Sequence, residues 1–310
     1  MTLKAAATED SRILPVLKDT ILQAETLLSV TDAAGEVGRL NAFFAESENG
    51  TSVPKSLEIS DTLAGVLSET LEYSRKTDGA LNPALYPISF AWGFTTSEQH
   101  VPSADTIRSL LPLCSWQNIS LSGNTLTMNT GMELDFGAIG KGYITRLCSD
   151  ELKREGITSA LLDLGGNIYT LGSKLDGSSW KIGIQLPFSE TGESAGTLTS
   201  RDEAIVTSGS YQRYFEEDGR LYHHIIDGST GYPADNELNS VTIVCADGFQ
   251  ADALSTAYFV MGLDKSEAAW RASEGVDVIW ITKDNRIYYT EGLKGRFEVS
   301  SGLESEVISR

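Results

Sequence analysis

The chain has 310 residues, a formal charge of −19 at pH 7 and 41% hydrophobic residues, and no apolar run approaches the roughly 18 residues that a membrane span requires. Such a composition describes an ordinary soluble globular protein, long enough to bury a core as one large domain or two intertwined ones. Its acidity argues against binding to DNA, RNA or anionic lipid, and an anionic small substrate would need local help from a metal ion, a helix N-terminus or a placed lysine.

Met1 opens directly into Thr2-Leu3-Lys4-Ala5-Ala6, which reads as a strand already under way. Residues ahead of it in the natural protein, an export signal among them, are therefore expected. Ile13, Leu17, Ile21, Leu22, Ala24 and Leu28 recur at helical spacing. A second helix is predicted over 60–76, capped by Ser60 or Asp61 and broken at Thr77-Asp78-Gly79. An aromatic, proline-containing loop over 82–94 precedes a short helix over 103–111. Two short strands over 118–121 and 125–128 turn at Gly123-Asn124.

The clearest strand–turn–helix lies in 132–156. Glu133-Leu134-Asp135 ends an extended stretch, residues 137–142 turn, and Tyr143, Ile144, Leu147, Cys148 and Leu152 then recur at helical spacing. Further strands are predicted over 160–164, 167–171, 180–185, 204–208, 223–227, 240–245, 276–282 and 286–290, with helices over 251–262 and 265–273. One α+β domain spanning 1–310 is the simplest reading. Cys114, Cys148 and Cys245 are far apart and form no CxxC, which argues against a zinc or thiol-redox site.

Four segments carry residues suited to chemistry. In Asp135-Phe136-Gly137-Ala138-Ile139-Gly140-Lys141-Gly142, glycines at a strand-to-helix turn let backbone amides approach a phosphate, and Lys141 is the placed cation. The Walker spacing is absent, and a tight turn with an exposed lysine fits equally. In Ala251-Asp252-Ala253-Leu254-Ser255-Thr256, Asp252 and Thr256 share a helix face beside Ser255, a hard-oxygen set suited to Mg²⁺. The competing reading makes Asp252 a helix cap and bonds Thr256 back to a carbonyl.

His223-His224-Ile225-Ile226-Asp227 places two histidines on a strand before a turn, where only one can face a given site, as a general base or as a structural residue. Ala204 to Tyr211 ends a strand in small polar residues and reads as a strand end. Leu164-Gly165-Gly166-Asn167 is a glycine turn of undefined chemistry.

Taken in order, these segments resemble the ApbE family, the FAD:protein FMN transferases, over about residues 3–290. The matching pieces are Leu28-Ser29-Val30-Thr31, Thr77-Asp78-Gly79-Ala80-Leu81-Asn82-Pro83, Trp92-Gly93-Phe94, the 135–143 turn, Leu164-Gly165-Gly166-Asn167-Ile168, Thr207-Ser208-Gly209-Ser210-Tyr211, His224-Ile225-Ile226-Asp227 with Thr230-Gly231-Tyr232-Pro233, and the 251–256 segment. The resemblance implies an α+β, T-fold-related architecture of mixed sheets with packed helices in a single compact unit.

It further implies Mg²⁺ held by Asp252, Thr256 and the Ala138 carbonyl, with Ser255 at the same metal. Ala80, Leu81, Asn82, Asp135, Lys141 and Ile226 would line the flavin site, with Thr31 where some members place an aromatic contact. His224 would act in the transfer alongside Lys141. The implied reaction moves FMN from FAD to a threonine or serine of an acceptor redox protein with an Asp-Gly-x-Ser/Thr-Gly/Ser-Ala-Thr-like motif. FAD hydrolysis to FMN and AMP is the alternative, and flavin binding without turnover a third. Asp227-Gly228-Ser229-Thr230-Gly231 looks like that motif but lacks its final Ala-Thr, and reads as part of the enzyme. Members are mostly exported and often lipid-anchored. This chain shows no lipobox and lacks the short Met- or Asp-Thr segment of the family, so an anchored extracytoplasmic enzyme is expected, or a cytoplasmic one if Met1 is the natural start.

Overall fold

The computed structural model describes residues 13–45, 52–96, 98–189 and 193–310. The strand predicted at the start lies outside them. Two compact units are assembled from separated stretches of these described residues: those within 13–22, 139–212 and 236–310 form the first, and those within 23–138 and 213–235 the second.

The first unit is layered on a seven-stranded sheet. Its strand order is Ser305–Ile308, Ile287–Thr290, Val276–Thr282, Leu238–Cys245, Glu203–Gly209, Asn167–Leu171 and Ala160–Asp163. Only the pair Ile287–Thr290 and Ser305–Ile308 is parallel. All eight residues of the Leu238–Cys245 strand are buried, as a strand covered on both faces requires.

One face packs against a three-stranded sheet of Trp180–Gln185, Ser194–Ser200 and Phe297–Val299 through Trp180, Ile182, Ile184 and Leu198 against Ile205, Val244, Ile279 and Ile281. The other face carries helices Gly140–Arg154, Gly248–Met261 and Leu263–Arg271. There the buried Trp280 indole donates to Ser266 Oγ at 2.9 Å.

The predicted helix over 251–262 begins three residues earlier, at Gly248, because Asp247 is its cap: Asp247 Oδ1 accepts from the Gln250 amide at 2.8 Å. Arg146 clamps both carboxylate oxygens at 2.7 Å, with its guanidinium 4.7 Å from the centre of the Phe249 ring. Burial works against the Asp247 charge, but Arg146 and the backbone amides of Gln250 and Phe249 outweigh it and hold the carboxyl below the usual carboxylate range. A depressed folded-state pKa gives stability that is present above the unfolded value, about 3.9, and lost as pH falls through the folded one. Asp247→Ala is expected to cost about 1–2 kcal/mol near neutrality, mostly the cap, since the ion pair is partly exposed to solvent. As pH falls below about 4 the gap to wild type should narrow by the charge-dependent part, which melts at stepped pH would read.

The second unit holds helices Glu36–Ala45, Asp61–Lys76, Tyr86–Ala91 and Ala104–Leu110. Its three-stranded sheet has the order Pro54–Glu58, Thr125–Asn129, Ser120–Ser122, and a hairpin joins Tyr214–Glu217 to Arg220–His223. The stretch predicted as a loop over 82–94 contains a six-residue helix, started by Pro87 in its first turn. It sets Ile88, Trp92 and Phe94 into a core with Ile107, Cys114 and Ile226. Residues 132–136, expected as extended chain leading into a helix, join no sheet. The backbone of Leu134 is satisfied instead by Asn41, whose amide bonds both its N–H and its carbonyl, at 2.7 and 2.8 Å, and the Asp135 N–H bonds Pro83 O.

Cys114, Cys148 and Cys245 are buried and free, and burial pushes each thiol up to about 12. Such thiols are inert at neutral pH. No helix among the described residues is long and apolar enough to cross a membrane.

Candidate functional site

In the first unit two helices cross closely enough to build a site. A Cβ on Gly142 would lie 2.3 Å from the Gly248 carbonyl oxygen and 2.5 Å from Asp252 Cβ. Only glycine permits that approach, and it brings the first turn of the Gly140–Arg154 helix onto Asp252. The Gly142 N–H donates to Asp252 Oδ2 at 2.7 Å. Asp252 is 2% exposed, and burial pushes its carboxyl above the usual range, opposed by Lys141, the Gly142 amide and the Asn167 side chain.

With the helix starting at Gly248, Asp252 sits in its second turn and cannot be the cap. Ser255 Oγ bonds the Asp252 carbonyl at 2.9 Å. Ser208, from the strand below, lies 2.8 Å from Ser255 Oγ and 3.3 Å from Thr256 Oγ1. One buried carboxylate and three hydroxyls thus converge beside a lysine at a helix N-terminus. Ser208 was readable only as a strand end, because its position under the helix comes from sheet pairing.

The second unit holds the other predicted residues. The Asp61–Lys76 helix ends in a Schellman turn: the Gly79 N–H bonds Ser74 O at 2.8 Å, with Asp78 and Gly79 both at positive φ. Thr77 Oγ1 then accepts from the Leu81 N–H at 3.1 Å, which fixes the Ala80-Leu81-Asn82 segment. Asn82 is committed to the fold: its amide donates to the Cys114 carbonyl and its oxygen accepts from the Ala84 N–H. Asp135 keeps some contact with solvent although protein surrounds it closely, and burial raises its carboxyl despite a 2.7 Å bond from the Gly137 N–H and the nearby Arg213. Thr31 is exposed, 3.3 Å from Ser29 Oγ. Ala138 closes the turn before the Lys141 helix.

The predicted strand over 223–227 is broken after His223, which separates the two histidines. His223 is buried, accepts from the Ile225 N–H at Nδ1 and donates from Nε2 to the Ala234 carbonyl at 3.0 Å, a structural residue. His224 lies past the strand end. Its Nδ1 is 3.1 Å from the Arg213 carbonyl, which only accepts, so the neutral ring carries its proton on Nδ1 and its lone pair on Nε2. The following turn is locked to Trp92-Gly93-Phe94, since the Trp92 indole donates to the Gly231 carbonyl at 2.9 Å.

Residues 1–280 match the ApbE family model. The chain belongs to the ApbE family. A FAD:protein FMN transferase of Klebsiella pneumoniae strain 342 is 40% identical over 231 residues, 73% of this chain and 71% of that protein. Another, of Treponema pallidum strain Nichols, is 34% identical over 312 aligned residues, 96% of this chain and 84% of its own length. The crystal structure of the ApbE protein of Thermotoga maritima MSB8 superposes with a TM-score of 0.83 at 28% identity, covering 95% of this chain and 94% of that one. The mixed α+β architecture is therefore that of ApbE proteins.

Among the described residues no three His, Cys, Asp or Glu side chains cluster to hold a metal. Mg²⁺ asks for less than such a cluster: one or two carboxylates, neutral oxygens, waters and substrate phosphates. Asp252, Thr256 and Ser255, with Ser208 behind them, are such a set. The buried Asn167 amide, close to Asp252 but without a hydrogen bond of full geometry, also fits an incomplete polar site.

Proposed function

We propose that this chain transfers the FMN half of FAD to a threonine or serine hydroxyl of an acceptor protein, releasing AMP, with Mg²⁺ held by Asp252, Thr256, the Ala138 carbonyl and Ser255. The observation that carries this reading is the buried Asp252 carboxylate held against the helix N-terminus that bears Lys141, in a member of the ApbE family. Bound Mg²⁺ would neutralise pyrophosphate charge as a Lewis acid.

Lys141 and the first-turn amides of the Gly140–Arg154 helix draw the phosphates and oppose charge developing on the leaving group. The Ala80-Leu81-Asn82 segment, Asp135 and Ile226 receive the flavin, Asn82 through its fixed backbone rather than its committed side chain. His224 Nε2 takes the proton of the acceptor hydroxyl. The hydroxyl oxygen bonds the FMN phosphorus, the phosphoanhydride bond breaks, and AMP carries away the electron pair. The family resemblance supports an extracytoplasmic setting and an acceptor with an Asp-Gly-x-Ser/Thr-Gly/Ser-Ala-Thr-like motif.

The test is incubation of the purified chain with FAD, with and without Mg²⁺ and a protein bearing that motif, following AMP and acceptor mass. An acceptor gain equal to FMN, only with Mg²⁺, is expected. AMP and free FMN without an adduct would make the chain a FAD pyrophosphatase, and no AMP at all would refute turnover. His224→Ala is expected to slow transfer about 10²-fold or more with FAD binding retained, as loss of a general base does.

A further inference from the structure

Asn167 opens the Asn167–Leu171 strand directly opposite Val206. Residues opposite each other on antiparallel strands share a face, and so do Val206 and Ser208, two apart. That face lies under the Gly248–Met261 helix, where Ser208 meets Ser255 and Thr256. Asn167 is thus on the floor beneath the Asp252 cluster. It is 0% exposed, and neither its side-chain nitrogen nor its oxygen makes a hydrogen bond of full geometry, although the amide lies near enough to Asp252 to favour its charged form.

A fully buried carboxamide without a well-formed hydrogen bond works against folding, and an apolar residue of the same size would serve the core better. Its backbone is well used: the Asn167 carbonyl accepts from the Leu164 N–H at 2.9 Å across a turn with Gly165 and Gly166 at positive φ, so the side chain is held in place. The Gly142 N–H already takes Asp252 Oδ2, which leaves the other carboxylate oxygen to be oriented.

We propose that Asn167 is a positioning residue of the metal site: its Nδ2 donates to the Asp252 carboxylate and orients it to serve as a metal ligand. This rests on the Mg²⁺ reading above, and its prediction is a trade. Removing the amide should help the metal-free fold and harm the metal site.

The probe is Mn²⁺ alone, titrated by electron paramagnetic resonance into the purified chain, with melting temperature read with and without the ion. Asn167→Leu is expected to melt at or above the wild-type temperature without metal, and to bind Mn²⁺ about 10–100-fold more weakly, as loss of an outer partner of a ligand does. Asn167→Ser removes the amide without bulk and should show the same weakening if the leucine variant does not fold. Wild-type Mn²⁺ affinity in a folded variant, or a large loss of metal-free stability in both, overturns the inference and makes Asn167 structural. If wild type binds no Mn²⁺, or Asp252→Asn binds it equally well, the metal reading itself fails and this inference with it.

Discussion

Replacing Asp252 with asparagine is expected to lower Mg²⁺-dependent release of AMP from FAD by about 10³-fold or more and to leave the fold at least as stable. A metal that stabilises transition-state charge contributes several kcal/mol, and about 4 kcal/mol is a thousandfold in rate. Asparagine keeps an oxygen for the Gly142 N–H, now 2.7 Å from the carboxylate, so the helix crossing survives. It also removes a charge from a position that is 2% exposed, where desolvation already pushes the carboxyl upward. AMP release against Mg²⁺ concentration reads the first effect. Melting with and without Mg²⁺ reads the second: wild type should gain stability from the ion by mass action, and the variant should not. A fully active variant would dismiss Asp252 as a ligand.

Two glycines on one helix turn should respond in opposite ways to the same substitution. Gly142→Ala places a methyl 2.3 Å from the Gly248 carbonyl oxygen and 2.5 Å from Asp252 Cβ, and neither is the tip of a flexible side chain. The helices must separate, at a cost of about 3 kcal/mol or more, and the Asp252 hydrogen bond goes with them. A lower melting temperature together with lost Mg²⁺ response is expected. Gly140→Ala meets nothing within 4 Å and should be neutral or slightly stabilising in a helix. Any loss of FAD turnover in Gly140→Ala would then report the approach of a phosphate to the turn rather than damage to the fold. Equal stability of the two variants would show that the crossing tolerates a side chain and that the site is not built on close contact.

Local periodicity carried much of this protein. The helix Ile13–Leu28 and the strands Asn167–Leu171, Trp180–Gln185 and Val276–Thr282 coincide with the sequence pattern: the helix and Trp180–Gln185 each bury a regular apolar face, and the other two are short, largely buried runs. The Ser194–Ser200 strand, SAGTLTS, has no such alternation and becomes a strand only by pairing with Trp180–Gln185 and Phe297–Val299. The Gly248–Met261 helix is buried on nearly every side, so apolar spacing could not mark its start; the Asp247 cap does. Motif order was enough to recognise the family and to nominate Lys141, His224, Asp252 and Thr256 as candidates. What the chain could not reveal by itself is which side chains meet across the sheet. Ser208 and Asn167 come beneath Asp252 only through strand register, a long-range property, and the two adjacent histidines differ only because the strand ends between them.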